Sequence, residues 1–165
     1  MNPRTKYALV ALPFAAFGFL LQGTGPLGAI LWPPAPMPTE PTGALLGGFI
    51  AYSIFEAAAF GAGIAFLILG YHPVRAAAGS TRLAIPAYLA IGWLLVNWVP
   101  HDALHMHVGM NLEGLLALEW GFHGTLILSG AVLGRFLWHV VASSPQPSSM
   151  AARPSASGPR PAPGK

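Results

Sequence analysis

The sequence predicts an all-α integral membrane protein. Four transmembrane helices form an antiparallel bundle, both termini lie in the cytoplasm, and a disordered tail ends the chain. Three observations lead there. Hydrophobic residues make up 54% of the 165 residues and charged residues only 8%, against about 25% charged in an average soluble domain. A soluble fold this poor in charge cannot cover its surface with charge, whereas a surface facing lipid does not need to. Second, four apolar runs reach or approach the roughly 20 residues that a membrane-crossing helix requires. Third, all eight Lys and Arg residues fall on one side of a four-span arrangement.

The spans run from about Tyr7 to Leu31, Ala44 to Tyr71, Leu83 to Val99 and Leu112 to Val141. Arg4 and Lys6 precede the first. Arg75 and Arg82 separate the second from the third. Arg135, Arg153, Arg160 and Lys165 close the chain. Basic residues favour the cytoplasmic side, so the segments 32–43 and 100–111, which contain none, are placed outside. Trp32, Trp98 and Trp120 mark the outer boundary and Tyr7, Tyr71 and Trp138 the inner one, as interfacial aromatics do. The first run is too long for a signal peptide core and reads as a retained helix. Pro86 sits near the start of span three, where backbone N–H groups have no intrahelical partner.

The segment from Pro33 to Pro38 reads as a stiff extended connection. Residues 1–142 form one membrane domain. Residues 143–165, rich in Ser, Pro, Ala and Gly, cannot bury a core and are expected to be a disordered cytoplasmic tail. Gly43 and Gly47, Gly130 and Gly134, and Gly61 with Gly63 are expected at helix contacts, because small residues let membrane helices approach closely. The richness in Gly, Ala and Pro suggests a GC-rich bacterial source.

Composition also excludes chemistry. Cysteine is absent, so disulfides, thiolate metal sites and a cysteine nucleophile are ruled out. The net charge of +3 is spread over segment ends rather than gathered with aromatics, which argues against nucleic acid. No glycine-rich phosphate loop and no Gly-x-Ser-x-Gly nucleophile is present. The expected location is the inner (plasma) membrane. The expected partners are the bilayer and either other membrane subunits or a second copy.

One group of residues stands out. Four of the six histidines are His101, His105, His107 and His123, the first three in the outer segment. With Pro100 in the first turn of a helix and Gly109 at its end, His101 and His105 share a face and His107 points elsewhere. An extended segment instead pairs His105 with His107. Span four adds Glu119 and His123, four apart. Counted from Leu112 at about 1.5 Å per residue, Glu119 lies roughly 10 Å and His123 roughly 16 Å into the span; Glu56, counted from Ala44, lies roughly 18 Å deep. Ionisable groups at such depth are costly, face the bundle interior and mark functional sites.

Imidazole with carboxylate is a ligand set for copper, iron or zinc, and Met106 and Met110 add soft thioethers. The candidate metal ligands are therefore His101, His105, His107, Glu119, His123 and Glu56. His101 or His105 is expected to approach the Glu119–His123 stripe closely enough to share one ion. Asp102 and Glu113 read as helix-start charges. No catalytic residue is assigned. The leading expectation is a transition-metal site on the extracytoplasmic side. The alternatives are a non-catalytic accessory subunit whose polar residues seal helix contacts, and a b-type haem protein with His72 and His139 as axial ligands.

Overall fold

The computed structural model describes residues 1–36 and 41–144. Glu40 and nearly all of the tail fall outside these residues, as does the end of the first connection.

The helix α1 spans Pro3–Leu21. Pro3 occupies its first turn, and the Arg4 N–H donates to Asn2 Oδ1 at 3.0 Å. The helix stops ten residues before the end expected from hydropathy. Gly23, Gly25 and Pro26 follow Gln22, and glycine freedom with a missing N–H breaks the ladder. A short turn, α2 (Gly28–Leu31), follows. Trp32 Nε1 returns to donate to the Leu21 carbonyl at 3.1 Å.

Span two is α3 (Gly43–Leu69), a 27-residue helix close to the expected bounds. It leads directly into α4 (Tyr71–Ala78), an amphipathic helix that hydropathy alone did not separate. The third apolar run folds as α5 (Thr81–Val96), capped by Ser80 and, at 16 residues, short of a span by itself. It bends by 48° into α6 (Trp98–Val108). The bend has a local cause. Pro100 has no N–H to offer the Val96 carbonyl, and Asn97 Nδ2 donates back to the Trp93 carbonyl at 2.6 Å. Gly109, at φ +57°, ends α6. The last span is continuous from Leu112 to Ala142: α7 (Leu112–Leu118), a π turn over Glu119–His123, and α8 (Gly124–Ala142).

Among the described residues three helices are long and apolar enough to cross a membrane, or four if the bent α5–α6 pair is one span. The packing has the inverse pattern of a water-soluble protein. Its buried apolar residues are mostly alanines, among them Ala57, Ala65, Ala84, Ala87 and Ala103, while Leu45, Phe55, Ile127 and Trp138 are largely exposed. Small residues inside and large apolar ones outside is how helices pack when the solvent is lipid.

The helices pack as consecutive neighbours: α1 on α3, α3 on α5, and α5 on α8. Tyr7 OH donates to the Ala62 carbonyl at 2.5 Å, tying α1 to α3, and Tyr88 OH donates to the Leu67 carbonyl, tying α5 to α3. A core of Val74, Ala78, Ala84, Ala87 and Phe136 joins α4, α5 and α8. Among the described residues neither α1 nor α3 makes appreciable contact with α8. The expected bundle is therefore an open row, and one face of the last helix stays uncovered.

The glycines divide accordingly. A Cβ at Gly61 would meet Ala15 N at 2.5 Å, and one at Gly63 would meet Val96 Cγ1 at 2.6 Å, so both sit at tight helix crossings as expected. Around Gly43, Gly47, Gly130 and Gly134 nothing lies within 4 Å. The contacts expected there are absent among the described residues, because those faces point away from the row.

Candidate functional site

The α5–α6 bend carries α6 across the ends of the other helices. It packs on α1, α3 and α7, which places three of its polar side chains between α3 and the last span.

His101 and His105 share one face, as the helical alternative requires. Their Nε2 atoms lie 3.0 Å apart, with the rings edge to face. His123 joins them from the π turn, its ring centroid 5.1 Å from that of His101. Glu119 accepts a hydrogen bond from His123 Nδ1, which leaves His123 Nε2 free of that bond. Phe122 lies against His101 at 4.9 Å and stacks on Trp93 at 5.6 Å. Trp93 Nε1 in turn donates to Thr125 Oγ1 at 2.9 Å. The Thr125 hydroxyl is also within hydrogen-bond reach of the Gly121 and Phe122 carbonyls, which the widened turn leaves poorly paired. Such π turns occur mostly as single insertions, frequently at functional sites.

The other candidates go elsewhere. His107 Nδ1 donates to the Pro33 carbonyl at 2.7 Å, and Ala35 N donates to the Met106 carbonyl at 2.8 Å, so His107 fastens the first connection to α6. Met106 Sδ packs on Gly23 and Met110 is largely exposed; neither adds a thioether to the imidazoles. Glu56 is buried on α3, with Tyr52 and Asp102 as its polar neighbours, and its Oε2 has no hydrogen-bond partner. It faces α6 rather than His123. His72 lies edge-on to Tyr71, and His139 lies beside Gly79.

The interior placement expected for Glu119 and His123 is not met within one chain. Their side chains are 50% and 46% exposed, because α8 packs on α5 through the opposite side, which carries Ser129, Leu133 and Phe136. Among the described residues no three His, Asp or Glu side chains already stand as a complete ion-binding group. Two hydrogen-bonded imidazoles, with a third ring centroid 5.1 Å from that of His101, are what the arrangement offers chemically.

Sequence reasoning undervalued two buried amides. Gln22 Nε2 donates to the Ser53 carbonyl at 2.6 Å, bridging α1 and α3. Asn97, fully buried at the bend, has no partner for its Oδ1. Both are lone amides in apolar runs, Gln22 inside the first and Asn97 near the end of the third, and that isolation is the signal that points to them. No known protein family, curated protein or solved structure matches this chain.

Proposed function

We propose that this is a four-span membrane protein that holds one transition-metal ion, copper, iron or zinc, at the extracytoplasmic end of its helices through His101, His105 and His123. Both termini then lie on the cytoplasmic side. Arg75, Arg82 and Arg135 belong to the elements that meet where α4 packs on α5 and α8, and the histidines occupy the opposite end of α5. That separation fits the rule that basic residues stay inside.

The observation that carries the reading is the His101–His105 pair. Two imidazole nitrogens bound about 2.0–2.1 Å from one ion stand roughly 3–3.4 Å from each other. The Nε2 atoms stand 3.0 Å apart as a ring-to-ring hydrogen bond, and an ion at this spacing would take the place of the shared proton. Glu119, hydrogen-bonded to His123 Nδ1, is a carboxylate that orients a ligand ring and raises its basicity, not a ligand itself. Glu56 and His107 drop out of the ligand set. An ion so bound would act as a Lewis acid or a redox centre if a coordination position stays open.

The second reading is an accessory subunit of a larger membrane complex. It is favoured by the absence of a complete ion-binding group among the described residues. A b-type haem remains the third. One experiment separates them. Protein purified without a histidine tag after metal-replete growth should carry about one ion per chain, the occupancy of a site with three good ligands, and His105→Ala and His123→Ala should each lower it. Metal-free wild-type protein would hand the account to the accessory reading, and a Soret band would hand it to haem.

A further inference from the structure

The uncovered side of the last helix is not uniformly apolar. Glu119, His123, Ile127, Gly130 and Gly134 follow one another at intervals of four, four, three and four. Glu119 and His123 are in contact across the widened turn, and from His123 on, about 100° per residue keeps Ile127, Gly130 and Gly134 in one stripe with it. All of it is open. Glu119 and His123 are half exposed, Ile127 is 75% exposed, and nothing lies within 4 Å of where a side chain would begin at Gly130 or Gly134. An ionisable pair roughly 10–16 Å into a span, counted by helix rise, is costly if it faces lipid and normally faces protein. Among the described residues α8 spends its other side on α5, and none of them covers the row.

We infer that the row Glu119–His123–Ile127–Gly130–Gly134 is the contact between two copies of this chain, related by a two-fold axis along the membrane normal. The row is self-complementary. Two copies with the same topology bring equal depths together, so acid stands level with acid, and the second copy's imidazole lies about 5.4 Å further along the axis, diagonally across the crossing. Each Glu119 can then oppose the second copy's His123 as well as its own. One patch serving both partners is the requirement for a two-fold interface. Deeper in the span, Gly130 and Gly134 let the two backbones approach. The acid–imidazole pair makes the second copy a better occupant than lipid, which offers no counterpart to either group. The second copy also closes the open side of the three histidines. The inference rests on reading Leu112–Ala142 as a membrane span and not on the bound ion.

The chain has no cysteine, so a single introduced thiol is the only one present. Ile127→Cys and Leu128→Cys are adjacent, and both native side chains are exposed, at 75% and 65%, so neither change disturbs the packing. Only Ile127 lies on the row. Isolated membranes containing each variant, in two tagged lengths and with a chelator present, would be mildly oxidised and run without reductant. The result expected is a disulfide dimer at Ile127, including the hybrid of the two lengths, and none at Leu128. Equal cross-linking at both positions, a cross-link to a different protein, or no dimer at Ile127 would overturn the inference. Recovery of the chain outside the membrane fraction would instead refute the span reading beneath it.

Discussion

Replacing Gly61 by alanine should loosen the contact between α1 and α3, the most extensive in the fold. A Cβ there would lie 2.5 Å from Ala15 N and 2.7 Å from Ala15 Cβ. Ordinary van der Waals contact begins at 3.4 Å, so the helices must separate by 3.4 less 2.5 Å, about 1 Å. The obstacles are backbone and a methyl group, with no flexible side chain to swing aside. Overpacking of this kind costs typically 1–3 kcal/mol, and Gly→Ala in a helix returns roughly 0.5–1 kcal/mol. The net expectation is a loss of about 1–2 kcal/mol. Gly47→Ala is the control on the same helix. Nothing lies within 4 Å of it, so it should gain about 0.5–1 kcal/mol from backbone entropy alone. Unfolding of both variants in mixed micelles with increasing denaturing detergent, followed by circular dichroism, gives the comparison. A Gly61→Ala midpoint equal to wild type, or an equal loss from Gly47→Ala, would refute the packing described for α1 and α3.

Other consequences concern the site and the topology. His107→Ala should leave metal content unchanged, since its Nδ1 already serves the Pro33 carbonyl; loss of metal would return His107 to the ligand set. Glu119→Gln should weaken metal affinity by about 10–100-fold, the usual effect of removing a carboxylate that orients a ligand histidine, and a competition titration with a chelator measures it. Cysteines at Met110 and Ser80 should report opposite sides of the membrane, with an impermeant thiol reagent reaching Met110 alone in intact cells. Labelling of Ser80 but not Met110 would invert the topology.

Much of this fold could be read from hydropathy and charge. Span two and the last span fall within a few residues of their expected bounds, because long apolar runs admit few other structures. The helix carrying His101 and His105 was also legible, from Pro100 and Gly109 at its ends. Hydropathy failed where one or two residues outweigh an apolar average. The run through Leu31 hid a break, since Gly23, Gly25 and Pro26 interrupt hydrogen bonding without lowering mean hydropathy much. The early end of α1 and the amphipathic α4 were missed for this reason.

The site was legible as a set of residues and not as an arrangement. Spacing placed His101 over His105 and Glu119 beside His123. It could not give the direction of the last helix's polar row, which depends on which neighbour α8 packs against. Similar depth put Glu56 and His123 in one candidate set, but depth is one coordinate of three. The open row of helices puts α3 and α8 on different sides of α5, and Glu56 faces α6 instead. The glycines at 130 and 134 misled in the same way: their spacing announces a close approach without saying whether the partner lies in the same chain.

If three imidazoles gather one ion, X-ray absorption at the edge of the bound metal should show it: nitrogen neighbours at about 2.0–2.1 Å with the outer-shell scattering of three imidazole rings, falling to two rings in His123→Ala. A wild-type spectrum with one imidazole or none would contradict it.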